Sequence, residues 1–403
     1  MCFDVRSSRD VPPAIETNVW PSAKLWVTIK MSTAPKVQAM TALANTTPQT
    51  TAARMPMRWR PIFEAVAIPV GAILAALVLF GCFCAVQGKN PFAVFAAIYK
   101  AAFGSWYSFQ NTLVRASPLM LTALCTALPA RLGLVIIGNE GALVAGGLAA
   151  TAAGLAVASA PLLVVVAVML LAGMIGGGLW ITIVGVLYYQ RGVNETISSL
   201  LMNYIAIAVM NHLVNGPMRD PSSLNKPSSS PIPDEKMLPM IGNTNVHYGL
   251  VFGIIACLIA WVLMEHTTFG FKVRMIGGNI RAARMAGLPV ARLGLITCFL
   301  AGAAAGIAGM VEVAAVQGRA NESLAAGYGY AGILVAFVAR HRGLPIILVA
   351  TVLGGILASG GILQRQFQLP DATILVFQGL VFLVILFSDS LYGKFKIFKE
   401  RGA

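Results

Sequence analysis

The chain has 403 residues, of which 57% are hydrophobic and 11% charged, with 29 Lys and Arg against 15 Asp and Glu. Soluble domains carry about a quarter charged residues, so this composition excludes an ordinary water-soluble globule. A net charge of +14 would suggest nucleic-acid binding in a soluble protein. Here the basic residues fall between apolar runs and at the ends, which is the pattern of a membrane protein.

Residues 1–58 mix Pro, Thr, Ser and charge without an apolar run long enough to span, and read as a disordered cytoplasmic tail. No secretory signal fits, because the first strongly apolar stretch starts near Val66 and is long enough to stay in a bilayer. The runs 66–87 and 141–190 carry no charged residue. About 20 apolar residues, each rising 1.5 Å in a helix, cross the hydrocarbon layer, where peptide groups find no water. Strand-type alternation is absent, which argues against a β-barrel. Expected segments follow at 62–86, 112–134, 140–160, 162–189, 196–215, 247–265, 293–316, 328–339, 344–361 and 372–390. The expected fold is therefore all-α: a polytopic membrane helical bundle of about ten transmembrane helices over 59–392.

Lys and Arg set the orientation. Arg58 and Arg60, Arg191, the run Lys272 to Arg292, Arg340 and Arg342, and the basic tail 393–403 collect on one side. That side is expected to be cytoplasmic and to hold both termini. The opposite side carries the loop 217–246, in which Arg219, Lys226 and Lys236 are balanced by Asp220, Asp234 and Glu235. Its six prolines forbid a helix and predict an extended, polar cover, either a passive connector or a docking surface for an outside partner. Within the spans, Gly173/Gly177 and Gly302/Gly306 have the i, i+4 spacing that lets helix backbones touch. Five of the six cysteines lie in apolar runs without metal or redox spacing and read as small hydrophobic fillers.

The cytoplasmic stretch 267–293 is the most informative. Gly277 and Gly278 break the preceding structure, and Asn279 suits an N-cap. Residues 280–286 form a short helix, which Gly287 ends in the left-handed C′ position and Pro289 stops. Arg281 and Arg284 then lie one turn apart. A helix so short is marginal alone and needs a partner surface or an anionic lipid face.

This segment resembles the coupling loop of ABC permeases of the branched-chain amino acid, ribose and nucleoside class. It carries Gly277, Asn279, Ala282, Ala283, Arg284, Ala286 and Gly287 at the positions of that loop's motif, with Ile280 and Met285 departing from it. Three further stretches resemble the same class: Ile137 to Gly141, Asn194 to Thr196 with Leu201 to Ala206, and Gly327 to Ile333 with Arg340 to Pro345. The outer loop from Gly216 to Ser223 most resembles the longer permease of nucleoside importers. The resemblance implies ATPase coupling through Gly278, Asn279, Arg281, Ala283, Arg284 and Gly287. It also implies a cytoplasmic ABC ATPase, a second permease subunit, identical or different, an extracytoplasmic solute-binding protein and a bacterial inner-membrane location.

The chain has no phosphate-binding loop, no His/Cys metal cluster and no hydrolytic motif. It is expected to be a transport subunit and not an enzyme, with no cofactor or metal of its own, ATP and Mg²⁺ being held by the partner. Lipid is an expected partner and nucleic acid is not. Polar groups inside the membrane need a reason. Asn139, Glu140, Asn203, Tyr204 and Asn211 are candidates to line the solute path; the alternative is helix–helix hydrogen bonding. The competing function is a H⁺- or Na⁺-coupled secondary transporter of a similar small polar solute. It would need a load-carrying carboxylate deep in the membrane, and would leave the 280–286 helix unexplained.

Overall fold

The computed structural model describes residues 59–389 apart from 224, 225 and 371. The expected tails at 1–58 and 393–403 lie outside the described residues. Those that are described form an all-α, polytopic membrane protein. In chain order the helices are α1 (Trp59–Val86), α2 (Pro91–Phe103), α3 (Trp106–Ala130), α4 (Asn139–Ala156), α5 (Leu162–Arg191), α6 (Glu195–Asn215) and α7 (Gly249–His266). Then follow α8 (Thr268–Gly278), α9 (Ile280–Met285), α10 (Val290–Val311), α11 (Tyr328–Val338), α12 (Gly343–Ala358), α13 (Gly360–Phe367) and α14 (Ala372–Asp389).

A helix stands at each expected segment, but they are not equivalent. Six are long and apolar enough to cross a membrane unaided, and a seventh crossing arises if the pair Gly71–Val86 and Pro91–Phe103, bent by 116°, counts as one. Apolar patterning does not single out α2, although Asn90 followed by Pro91 is a readable start signal: the Asn90 side chain accepts from the Phe92 amide at 3.0 Å. The segment expected from 112 begins at Trp106, because Ser105 caps the helix through the Ser108 amide at 3.1 Å.

The tightest packing is where α4, α5 and α10 meet. A Cβ on Gly173 would lie 3.0 Å from the Gly306 carbonyl oxygen, and one on Gly177 would lie 2.8 Å from the Gly306 nitrogen. The two glycine pairs therefore face each other within one chain. Lipid tails are as apolar as the helices, so such close van der Waals contact, and not hydrophobic exclusion, holds these helices together.

Among its described residues, the loop 217–246 runs as turns and irregular chain with a 3₁₀ turn at Asp234–Lys236. It is less polar and more anchored than its composition suggests. Ile232 and Leu238 are buried. The Ser229 amide donates to the Ala320 carbonyl at 2.9 Å, Ile232 to Gly318 at 2.8 Å and Leu238 to Ala314 at 2.7 Å. Lys236 reaches the Ala160 carbonyl at 2.8 Å.

Candidate transport path and coupling surface

Helix α11 has 11 residues and is about 16 Å long, roughly half the hydrocarbon thickness. The segment expected to span at 328–339 is thus a half-length helix. Its N-terminus is reached by non-α chain from Gly318 to Gly327, with one 3₁₀ turn at Glu322–Leu324. Helix α4 likewise begins after irregular chain, at 131–138. Non-helical backbone in a membrane survives only where protein satisfies its polar groups, and both segments meet that requirement.

The chain before α4 is satisfied largely by α6. Ser199 accepts from the Ile137 amide at 3.0 Å, Asn203 donates to the Ile137 carbonyl at 2.9 Å, and Thr196 donates to the Val135 carbonyl at 2.9 Å. The Asn203 oxygen also accepts from the Gly141 amide at 2.7 Å. Asn139 joins Thr122 and Thr126 of α3, donating to the Thr122 carbonyl and the Thr126 hydroxyl, each at 2.9 Å. Glu140 does the same for α11: its two oxygens accept from the Gly327 amide at 2.7 Å and the Gly329 amide at 2.5 Å. A carboxylate in the first turn of one helix thereby caps the N-terminus of another, where unsatisfied amides and the helix dipole favour negative charge.

These bonds place the expected path residues in two groups. Asn139, Glu140 and Asn203 are at most 1% exposed and bind backbone. Tyr204 is 61% exposed. Asn211 is half-buried on α6, and its carbonyl accepts from the Asn215 side chain at 2.7 Å. The five do not gather on one surface.

Around this node lie groups that sequence patterning passes over. Arg115 of α3 lies beside Tyr328 on one cavity wall and near Glu312. Glu312 is buried where α10 loosens into a π-helical turn, Glu312–Gln317, a feature frequent at functional sites. A signal for Arg115 was available: it is a lone cation in an otherwise uncharged helix. Two adjoining cavities of about 420 and 540 Å³ flank α11 against α14. Both are lined by Ala326, Gly327, Ala331, Leu375 and Gln378; Arg115 and Tyr328 border the first and Tyr330 the second.

The stretch 267–293 forms a second, separate feature. Thr267 caps α8 through the Gly270 amide at 3.2 Å. Gly277 and Gly278 complete the last turn of α8, so the interruption falls at extended Asn279 (φ −157°) and not at the glycines. The Asn279 oxygen accepts from the Arg281 and Ala282 amides, each at 3.0 Å. Helix α9 ends at Met285, one residue short of the expected end. The Gly287 amide returns to the Arg284 carbonyl and the Leu288 amide to the Ala283 carbonyl, with Gly287 at φ +76°. That pair of bonds is a Schellman closure. Pro289 then leads directly into α10, which starts three residues ahead of the expected 293.

Ala283, 1% exposed, anchors α9, whereas Arg281, Arg284 and Met285 face outward, Met285 with 84% of its surface open. The helix before α9 is cross-braced: Glu265 accepts from Arg131 and from Arg274, each at 3.0 Å, and Arg131 also donates to the His341 carbonyl at 3.1 Å. Exposed ion pairs contribute little individually, but these join the turn after α3, the last turn of α7, α8 and the turn after α11. Among the described residues no cluster of His, Cys, Asp and Glu could hold a metal ion.

Comparison with known proteins agrees with this arrangement. The family described as "Branched-chain amino acid transport system / permease component" matches residues 108–386. The glucose ABC transporter permease of Haloferax volcanii is 31% identical over 361 residues, covering 86% of this chain and 94% of the relative. The guanosine ABC transporter permease of Bacillus subtilis is 27% identical, covering 83% of this chain and 97% of that protein. A nucleoside ABC transporter permease of Lactococcus lactis is 26% identical, with 79% and 90% covered.

Proposed function

This chain belongs to the family of permease components of branched-chain amino acid transport systems, and we propose that it admits nucleosides, or failing those simple sugars, as the membrane subunit of an ABC importer. It is a multi-pass membrane protein and a transport subunit, not an enzyme. The substrate reading draws on the names of the three relatives, two of nucleosides or guanosine and one of glucose.

The observation that carries the coupling role is α9: a helix of 6 residues, closed at both ends by its own side chain and glycine, anchored by one alanine and presenting two arginines and a bare methionine. A segment this short gains order from its caps, and its outward face is suited to a protein partner. In this reading a cytoplasmic ATPase holds ATP and Mg²⁺ and presses on Arg281, Arg284 and Met285. That movement passes to the braced α8 and to α10. Outside, a solute-binding protein delivers the solute, and a second permease subunit, identical or different, completes the pore. Asn139, Glu140 and Asn203 shape the path by fixing the ends of α4 and α11, while Tyr204 and Asn211 offer polar surface on α6.

The test is reconstitution of the full complex in proteoliposomes with labelled nucleosides and sugars. Arg284→Glu should lower binding-protein-stimulated ATP hydrolysis and uptake by about tenfold or more, as expected when a charge at a docking face is reversed. The melting temperature should stay unchanged. Uptake that persists without any ATPase and collapses on adding a protonophore would establish the proton-coupled alternative instead.

A further inference from the structure

The two cavities beside α11 have a wall of mixed character. Most of it is apolar or backbone: Ala326, Ala331, Leu375, Phe382 and the glycines at 327 and 379. Three side chains on it carry N–H or O–H groups. Arg115 is half-buried beside Tyr328, and a guanidinium has five N–H groups. Tyr330 is 42% exposed and carries a hydroxyl 3.5 Å from the Asn203 amide.

The third is Gln378, on α14. It is 8% exposed and lines both cavities, and its Nε2 has no hydrogen-bond partner among the described residues. A buried amide nitrogen without a partner is destabilising, and native proteins rarely retain one without a reason. Here the unsatisfied amide belongs to a residue that lines two cavities within the size range of small-molecule sites, about 300–1,000 Å³.

We propose that this groove between α11 and α14 is a solute subsite within the membrane, in which the side-chain amide of Gln378 turns to hydrogen-bond a polar group of the passing solute. Arg115 and Tyr330 supply further donors on either side. The inference rests on the transport function proposed above and adds the place and chemistry of recognition. A wall of donors, one of them cationic, suits an uncharged or anionic solute rich in hydroxyl or carbonyl oxygens and disfavours cations. The node behind it gives the subsite its rigidity. Glu140 fixes Gly327 and Gly329, so the rim of the groove cannot move without breaking two buried hydrogen bonds.

The experiment uses the reconstituted complex, with uptake of the labelled solute and stimulated ATP hydrolysis measured on the same preparations. Gln378→Leu should lower uptake about tenfold at subsaturating solute, as expected for loss of a hydrogen bond to a polar substrate. Stimulated ATP hydrolysis should remain within about twofold of the parent. Gln378→Asn, which keeps the amide, should recover part of the loss. Gly379→Leu gives an independent arm: a Cβ there meets nothing within 4 Å, so the chain accommodates it, while the longer side chain fills the second cavity and should also block uptake. Unaltered uptake and KM in both Gln378→Leu and Gly379→Leu would overturn the subsite and mark the groove as a gap in packing or a lipid-filled crevice. Absence of ATP-driven uptake of any nucleoside or sugar by the parent complex would instead overturn the transport function, and the subsite with it.

Discussion

Helix α9 and the node around Glu140 are both small polar structures in an apolar protein, yet they are built in opposite ways. The helix is local: its cap, anchor and closing glycine lie within residues 279–288, and its charged face is open. The node is non-local and closed. Glu140 bonds to amides 187 and 189 positions away, and Asn203 bonds to residues 62 and 66 positions away. A polar group in water gains little from an added hydrogen bond, whereas one buried without water has large consequences when its partner is removed. On the function proposed above, the contrast assigns stability and coupling to different polar residues of this chain.

The strongest test of that division is Glu140→Leu. It leaves two buried amides without an acceptor, each worth about 1–3 kcal/mol, so the detergent-solubilised protein should lose several kcal/mol of thermal stability. Glu140→Gln, which offers one acceptor oxygen in place of two, should lose about half as much. If Glu140→Leu melts with the parent and only transport suffers, the node belongs with the machinery and the division fails.

His247 sharpens the comparison because it is buried but, unlike Glu140, without partners. It precedes α7 by two residues, is 5% exposed, and neither ring nitrogen has a hydrogen-bond partner among the described residues. Burial pushes its pKa down to about 4, from 6.5. The neutral ring is therefore favoured in the folded state. Its contribution is complete above about pH 6.5 and is lost as pH falls towards 4, on the order of 2–3 kcal/mol at one unit per 1.4 kcal/mol. Stability measured across pH 4–7 should show this slope, and His247→Phe should remove that part of it while leaving stability at pH 7.5 nearly unchanged. An identical slope in His247→Phe would mean that the ring charges without penalty.

The smallest effect on stability should come from Asn279→Ala. Losing a cap costs a helix about 1 kcal/mol. Because α9 is exposed and peripheral, global melting should move little, while stimulated ATP hydrolysis falls severalfold. Amide exchange over 280–285 is the direct measurement: it should accelerate in the variant, and exchange unchanged from the parent would show that the partner surface, not the cap, holds the helix.

The spans were legible because the physics behind them is one-dimensional. A run of apolar residues without charge has no alternative to a helix in a bilayer, and caps such as Asn279 with Gly287 act over four to ten residues. The close-packed glycines could be read as well, since i, i+4 spacing places Gly173 with Gly177 and Gly302 with Gly306 on single faces; that these two faces meet each other was not contained in the spacing. Helix α2 escaped notice because it follows a 116° bend, and hydropathy averages over such bends. Arg115 was visible as a lone cation, but its partners on α11 and at Glu312 come from distant parts of the chain.

Sequence by itself thus determined the membrane character, the position of most helices, the family and the capped helix at 280–285, since each depends on neighbours a few residues apart. The tertiary structure decided that α11 is a half-length helix, that Asn139, Glu140 and Asn203 serve backbone amides and carbonyls, and that Gln378 faces a groove. Those outcomes depend on which buried polar group finds which distant partner. In a medium without water, that choice is made only when the helices come together.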